Sequence, residues 1–256
     1  MISLNLLPAS TKSLFLALSE VNQDGILEDF ILIGGTALSM RIEHRLSEDL
    51  DFAVTAPKLP RHKIEKLLQR LASGGAEIVD ITNVGARDDF IDTGFDLEDY
   101  HQDWLVNNTK LTFFTYGNND YENKVIKESS FDVCNGVKIA SIATIAKTKC
   151  HALTRRMKSR DLFDIYHLIA AGHLSMEDVV AEMQRSNLHM TFETCTHRIL
   201  EKPIQADDEG LTPIGINKSI DEIRAYLAEK VGELEQTISE SLLPHYNRAP
   251  DGEHKR

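Results

Sequence analysis

Residues 30–54, FILIGGTALSMRIEHRLSEDLDFAV, constrain the fold of this 256-residue chain more than any other stretch. Residues 30–33 are an apolar run of strand formers. Gly34 and Gly35 follow, then a helix-like segment from Thr36 carrying Ala37, Leu38, Met40 and Ile42. After Arg45 and Ser47 comes a second strand-like segment, residues 49–54. Two glycines after a strand allow a sharp turn and the close approach of a ligand, which a side chain at Gly35 would block. The helix beyond them points free N–H groups and its positive dipole end over the turn, which suits a phosphate. In the second strand Asp49 and Asp51 stand at i and i+2, so both carboxylates share a face. Side by side they repel unless a cation lies between them, and hard oxygen donors beside a triphosphate suit Mg²⁺ or Mn²⁺. The unit reads as a phosphate cradle facing a divalent-metal site.

A second stretch stands out by its charge. Residues 141–160, SIATIAKTKCHALTRRMKSR, hold six Lys and Arg residues and no acid, in a chain of net charge −12. That balance argues against a chain-wide nucleic-acid surface but leaves room for a local basic site. Asp161 and Asp164 follow at once, at i and i+3 on one helix face. They either orient the neighbouring cations, reach a substrate, or make salt bridges at a helix start.

Elsewhere the chain reads as ordinary soluble protein, 42% hydrophobic and 27% charged. Residues 10–27 predict an amphipathic helix, from Leu14, Phe15, Leu18 and Val21. Residues 61–72 predict another, ended by Gly74-Gly75, and 76–83 alternate like a strand. The acidic residues 85–103 predict an irregular or edge segment. Residues 110–116 (KLTFFTY) predict a strand, and 131–139 a hairpin closed at Asn135-Gly136. Helices are expected at 141–157, 161–171, 175–184, 191–200 and 219–242, with a linker at 201–217. Three cysteines without CxxC spacing read as reduced thiols of a cytosolic protein, and zinc is not expected. The first residues lack the pattern of a signal peptide, and no apolar run is long enough to span a bilayer.

The glycine turn, short helix and R-x-S-x-D-x-D-F of the first stretch resemble the signature of the DNA polymerase β-like nucleotidyltransferase superfamily. The form GGTAL…RLSEDLDF is most similar to its AbiEii/AbiGii toxin branch. The run K-C-H-A-L-x-x-R-x-x-x-R-D-L-F-D resembles that branch's second motif. The resemblance, which covers roughly residues 30–170, implies a mixed-sheet nucleotidyltransferase domain over 1–140; helical periodicity predicts a helical domain over 141–243, and 244–256 reads as a disordered tail, an α+β fold in all. It implies that Gly34, Gly35, Thr36, Arg45, Ser47, Lys149, Arg156 and Arg160 bind a nucleoside triphosphate, and that Asp49 and Asp51 hold Mg²⁺ or Mn²⁺. Asp161 and Asp164 join Asp49, Asp51 and Lys149 as candidate catalytic groups, and Lys147 competes for the role of Lys149. The implied activity is transfer of NMP from an NTP to an acceptor, the tRNA 3′ end or a protein hydroxyl, by a cytoplasmic toxin with a cognate antitoxin.

The pattern departs from the wider superfamily at a third carboxylate, expected near Thr112, where no acid stands. Asp96, Asp103 and Asp132 are the unranked substitutes. That gap keeps a second reading open, a module of the same fold that holds Mg-NTP without transferring it. A D-x-D glycosyltransferase ranks last, because the glycine turn and short helix do not precede its motif.

Overall fold

The computed structural model describes residues 2–246 other than 23, 93 and 118. Its centre is a seven-stranded mixed sheet. The strands are β1 (Ile31–Ile33), β2 (Leu50–Val54), β3 (Ile78–Asp80), β4 (His101–Val106), β5 (Thr109–Thr115), β6 (Phe131–Cys134) and β7 (Val137–Ala140). They lie in the order β3-β4-β5-β2-β1-β7-β6. β1 runs antiparallel to β2 and parallel to β7, and β2 runs parallel to β5.

One face of the sheet is apolar. Phe30, Phe52 and Phe113 are almost wholly buried there, with ring centroids 5.1–6.5 Å apart. Helices α1 (Ala9–Val21) and α3 (Arg61–Ser73) add Leu14, Phe15, Leu18, Ile64 and Leu67 to the same core. α1 ends well before residue 27, because Asn22 turns its side-chain oxygen to the backbone N–H of Leu27 and Gly25 takes a positive φ of 66°. Helix α2 (Gly34–Ile42) leaves the end of β1, and Arg41 ties it to β7 with a bond of 2.7 Å to the carbonyl of Ile139.

The acidic stretch departs from expectation: it forms helix α4 (Val84–Asp92), a short 3-10 turn (Leu97–Asp99) and the start of β4. A further helix, α5 (Asp120–Lys127), is capped by Asn119. The expected hairpin is present, with Asn135 and Gly136 both at positive φ.

A second core belongs to the helices that follow. These are α6 (Ile142–Arg155), α7 (Ser159–Ala170), α8 (Met176–Ser186), α9 (Phe192–Leu200) and α10 (Ile220–Tyr246). Their caps are local: Ser141 and Thr191 each accept a backbone N–H, and Ser175 with Asp178 forms a full capping box. α6 joins the two cores. Its Ile145 and Ala146 pack with the sheet, while Cys150 and Leu153 pack with the helices. α10 runs through residues 244–246, where a tail was expected, and residues 247–256 lie outside the described residues. All three cysteines are free. No helix among the described residues is long and apolar enough to cross a membrane.

Candidate active site

Register puts polar groups on the other face of the sheet. Asp51 on β2 pairs with Ile33 on β1 and with Thr112 on β5, and Thr112 pairs in turn with Asp103 on β4. Directly opposed residues point the same way, so Asp51, Thr112 and Asp103 form a row. Phe52 and Phe113, one residue on, point into the core. Asp49 immediately precedes β2 and is half-buried beside Asp51.

A cleft opens over this face. Gly34, Gly35, Ser47, Asp49 and Asp51 line one side, with Lys110 from β5. Lys149 from α6, Arg156 after it, and Lys158 and Arg160 at the start of α7 line the other. The two sequence motifs, about a hundred residues apart, therefore meet in one place. Lys147 does not join them: its ammonium lies 3.8 Å from Glu182 on α8, and its side chain is 43% exposed.

Burial pushes the carboxyls of Asp49 and Asp51 above the usual range, and at Asp51 the negative charge of Asp49 adds to it. A pair so strained fits a divalent cation, which would relieve desolvation and repulsion together. Among the described residues no three His, Cys, Asp or Glu side chains converge on an ion. Two carboxylates completed by substrate phosphates and water is a donor set that Mg²⁺ accepts. The first turn of α2 has no side-chain cap, so its N–H groups remain for an anion.

Of the arrangements open to Asp161 and Asp164, the structure shows them meeting the neighbouring cations. Both are fully buried, turned away from the cleft into its cationic wall. The Lys149 ammonium lies 2.6 Å from Asp164 and 3.1 Å from Asp161. Arg45 grips Asp164 with Nε at 2.6 Å and Nη2 at 3.0 Å, and Arg156 reaches Asp161 at 2.8 Å. His44, which sequence reasoning passed over, completes the cluster at 2.8 Å from Asp164. Burial alone would raise Asp164, but Lys149 and Arg45 hold it well below the usual carboxylate range. Both acids are thus paired with the cations of the basic wall.

Thr36 is also buried. Its hydroxyl donates to the carbonyl of Asp49 and lies 2.9 Å from Ser47 Oγ, from which it can accept, joining α2 to the entry of β2. Arg45 lines the cleft floor, spent on Asp164. Lys110 and Lys158 were not singled out from the sequence. The period-two set Lys110, Thr112, Phe114 shares a cavity wall, but only the sheet register says which face that is.

The glycines divide the work differently from the sequence reading. Gly34 has φ +77°, and a Cβ there would come within 2.6 Å of Asp51 Oδ2. A Cβ on Gly35 would instead point inward, 2.5 Å from Arg45 Nη2 and 2.9 Å from Ser47 Oγ. A side chain at Gly35 thus strikes the scaffold before it blocks a phosphate. Gly34→Ala is expected to lose about 1–2 kcal/mol of stability to its left-handed backbone and, beyond that, to displace the Asp51 carboxylate. Calorimetric titration with metal and nucleotide should show binding lost in G34A. Unchanged metal-dependent binding would refute the assignment of this turn.

A model of the nucleotidyl transferase AbiEii toxin family, type IV toxin–antitoxin (TA) system, matches residues 16–236. The chain belongs to the AbiEii family. An uncharacterized protein of Aquifex aeolicus (strain VF5) is 31% identical over 153 residues. That match spans 60% of this chain and 64% of the relative, just under two thirds of its length. The structure of a nucleotidyltransferase candidate from H. pylori superposes with a TM-score of 0.50 at 18% identity, over 90% of this chain and 95% of that one, a likeness of fold. MenT4, a nucleotidyltransferase toxin from Mycobacterium tuberculosis H37Rv, superposes with a TM-score of 0.46 at 14% identity, over 93% and 94% of the two chains. Both AbiEii-like motifs quoted from the sequence fall inside the matched region.

Proposed function

We propose that this chain binds a metal–NTP complex in the cleft and transfers NMP to an acceptor hydroxyl, as the toxin of a toxin–antitoxin pair. The observation that carries the reading is the meeting of Gly34, Asp49 and Asp51 with Lys149, Arg156 and Arg160 across one cleft. Asp49 and Asp51 would hold Mg²⁺ or Mn²⁺, which supplies charge to the phosphate oxygens when bound. The first turn of α2 takes a phosphate, and the basic wall offsets charge on the transferring and leaving phosphates. Lys149 is fixed in position by two buried carboxylates, so little reorganisation is needed when the triphosphate arrives. The acceptor is the 3′ end of tRNA or a protein hydroxyl, the compartment is the cytoplasm, and the antitoxin is a separate protein. Thr112 in place of a third acid favours the competing reading, an Mg-NTP-binding module without transfer.

Incubation with Mg²⁺, each α-labelled NTP and total RNA separates the two. Label on RNA supports transfer to nucleic acid, self-label or protein label moves the acceptor, and binding without transfer supports the module. In the same assay Lys149→Ala is expected to lose about ten- to hundred-fold in nucleotide affinity or rate, for a charge-assisted contact of about 1.5–3 kcal/mol. Lys147→Ala, which removes an ammonium 3.8 Å from Glu182, should stay near wild type. Equal losses in the two variants would remove Lys149 from the site.

A further inference from the structure

The β5 position beside Asp51 is Thr112, so no carboxylate there can take a proton from the acceptor. The next strand supplies a different group. His101 and Asp103 stand at i and i+2 on β4, on the face that Asp51 and Thr112 share. His101 Nε2 lies 3.2 Å from Asp103 Oδ1. The same carboxylate accepts from Thr112 Oγ1 at 2.8 Å and pairs with the Lys110 ammonium at 3.0 Å. The imidazole is 40% exposed. It lines a cavity of about 330 Å³ that shares Gly34, Asp51, Lys110, Lys149 and Arg156 with the walls of the cleft.

We propose that His101, oriented by Asp103, is the base that takes the acceptor hydroxyl's proton. The inference rests on the transfer reading given above. In this role the proton of the neutral imidazole sits on Nε2, 3.2 Å from Asp103 Oδ1, which leaves the lone pair on Nδ1 to act, the logic of a base held by an acid. The acceptor oxygen bonds to the α-phosphorus while its proton passes to His101 Nδ1. The bond from the α-phosphorus to its bridging oxygen breaks, and pyrophosphate leaves with the electron pair. The imidazolium returns its proton to water at its exposed edge.

Other groups on the cleft are less able to serve. Asp49 and Asp51 are the metal pair. Asp161 and Asp164 are fully buried and held by cations. Tyr116 is bonded through its hydroxyl to His151 Nδ1 at 2.8 Å, and burial raises it far above the ordinary phenol. Asp103 itself is a poor base. Burial would raise it, but His101, Thr112 and Lys110 together bring it down to about 2, and both its oxygens are engaged. It is the positioning residue. Lys110, Lys149, Arg155 and Arg156, which line the cavity with His101, are cations that offer no lone pair.

The test uses the full chain with Mg²⁺, labelled NTP and the acceptor found by the labelling assay. His101→Ala should lower single-turnover transfer by about 10²–10⁴-fold, the usual weight of a general base. Its NTP affinity by calorimetry should stay at the wild-type value, and added imidazole should restore part of the rate. Long-range ¹H–¹⁵N spectra should show the Nε2–H tautomer of His101 in the wild type and a mixture in Asp103→Asn. Wild-type transfer by H101A, absence of imidazole rescue with folding intact, or an Nδ1–H tautomer would each overturn the role of His101 and leave the transfer reading standing. If the wild type binds NTP and labels nothing, the transfer reading fails and this inference falls with it.

Discussion

Asp51→Asn is expected to stabilise the free protein while abolishing metal-dependent nucleotide binding and transfer. The two effects have opposite signs because the carboxylate is out of place without a cation. Burial and the neighbouring charge of Asp49 push its carboxyl above the usual range. A raised carboxyl opposes folding wherever it is ionised, above that range, and Asn removes the charge while keeping the shape. Transfer should suffer more than stability gains. A divalent ion contributes several kcal/mol of charge stabilisation in phosphoryl chemistry, and about 4 kcal/mol corresponds to roughly 10³-fold in rate. Melting curves with and without Mg²⁺ and NTP read both effects at once. D51N should melt above the wild type in chelator and gain little on adding metal and nucleotide. A variant that melts lower in chelator, or that keeps the full ligand-induced shift, would contradict the site.

The second large effect belongs to a residue that never meets solvent. Asp164→Asn should destabilise the fold by about 3–5 kcal/mol, the usual penalty for removing one partner of a buried ion pair. At roughly 2–4 °C per kcal/mol for a chain of this class, the melting temperature should fall by about 10 °C. Arg45 and Lys149 have side chains 2% and 7% exposed, and both would face a neutral amide in place of a charge. Asp161 would be left to pair with Lys149, with Asp49 a further negative charge near Arg45. The pH dependence follows from the depressed carboxyls of Asp161 and Asp164. Their stabilisation is present in full above the unfolded carboxylate range near pH 4 and is lost as pH falls below it, toward the folded values. The gap between wild type and D164N should therefore be widest near neutrality and narrow under acid. Denaturant melts at pH 7 and below pH 4 measure it; a gap that does not narrow would mean that the charge of Asp164 is not what stabilises the cluster.

Some elements were legible because their determinants are local. A β-turn at Asn135-Gly136 needs two residues tolerant of positive φ, and both are there. Ser141, Ser175 and Thr191 announce helix starts by bonds that reach only three residues. β4 was not legible, and its residues explain why. His101 and Asp103 face the cleft, Gln102 is buried opposite Phe113, and Trp104 is half-buried, so the strand shows no apolar alternation. α4 was hidden in the same acidic run, which carries no clear helical stripe.

The sequence by itself determined the strand–turn–helix–strand unit, the pairing of Asp49 with Asp51, and the presence of one basic stretch in an acidic chain. Each depends on residue types within a few positions of one another. Only the tertiary structure decided that Lys149 rather than Lys147 enters the cleft, because two residues along a helix swing a side chain by about half a turn. It turned Asp161 and Asp164 inward to meet Arg45, which lies more than a hundred residues away. It set Asp103 opposite Thr112 on the cleft face of the sheet, while Asp96 pairs with Arg61 and Asp132 with Arg41. The placement of Asp103 is a matter of strand register. Register is set by the hydrogen bonds and buried faces of neighbouring strands, and no local stretch of sequence contains both partners.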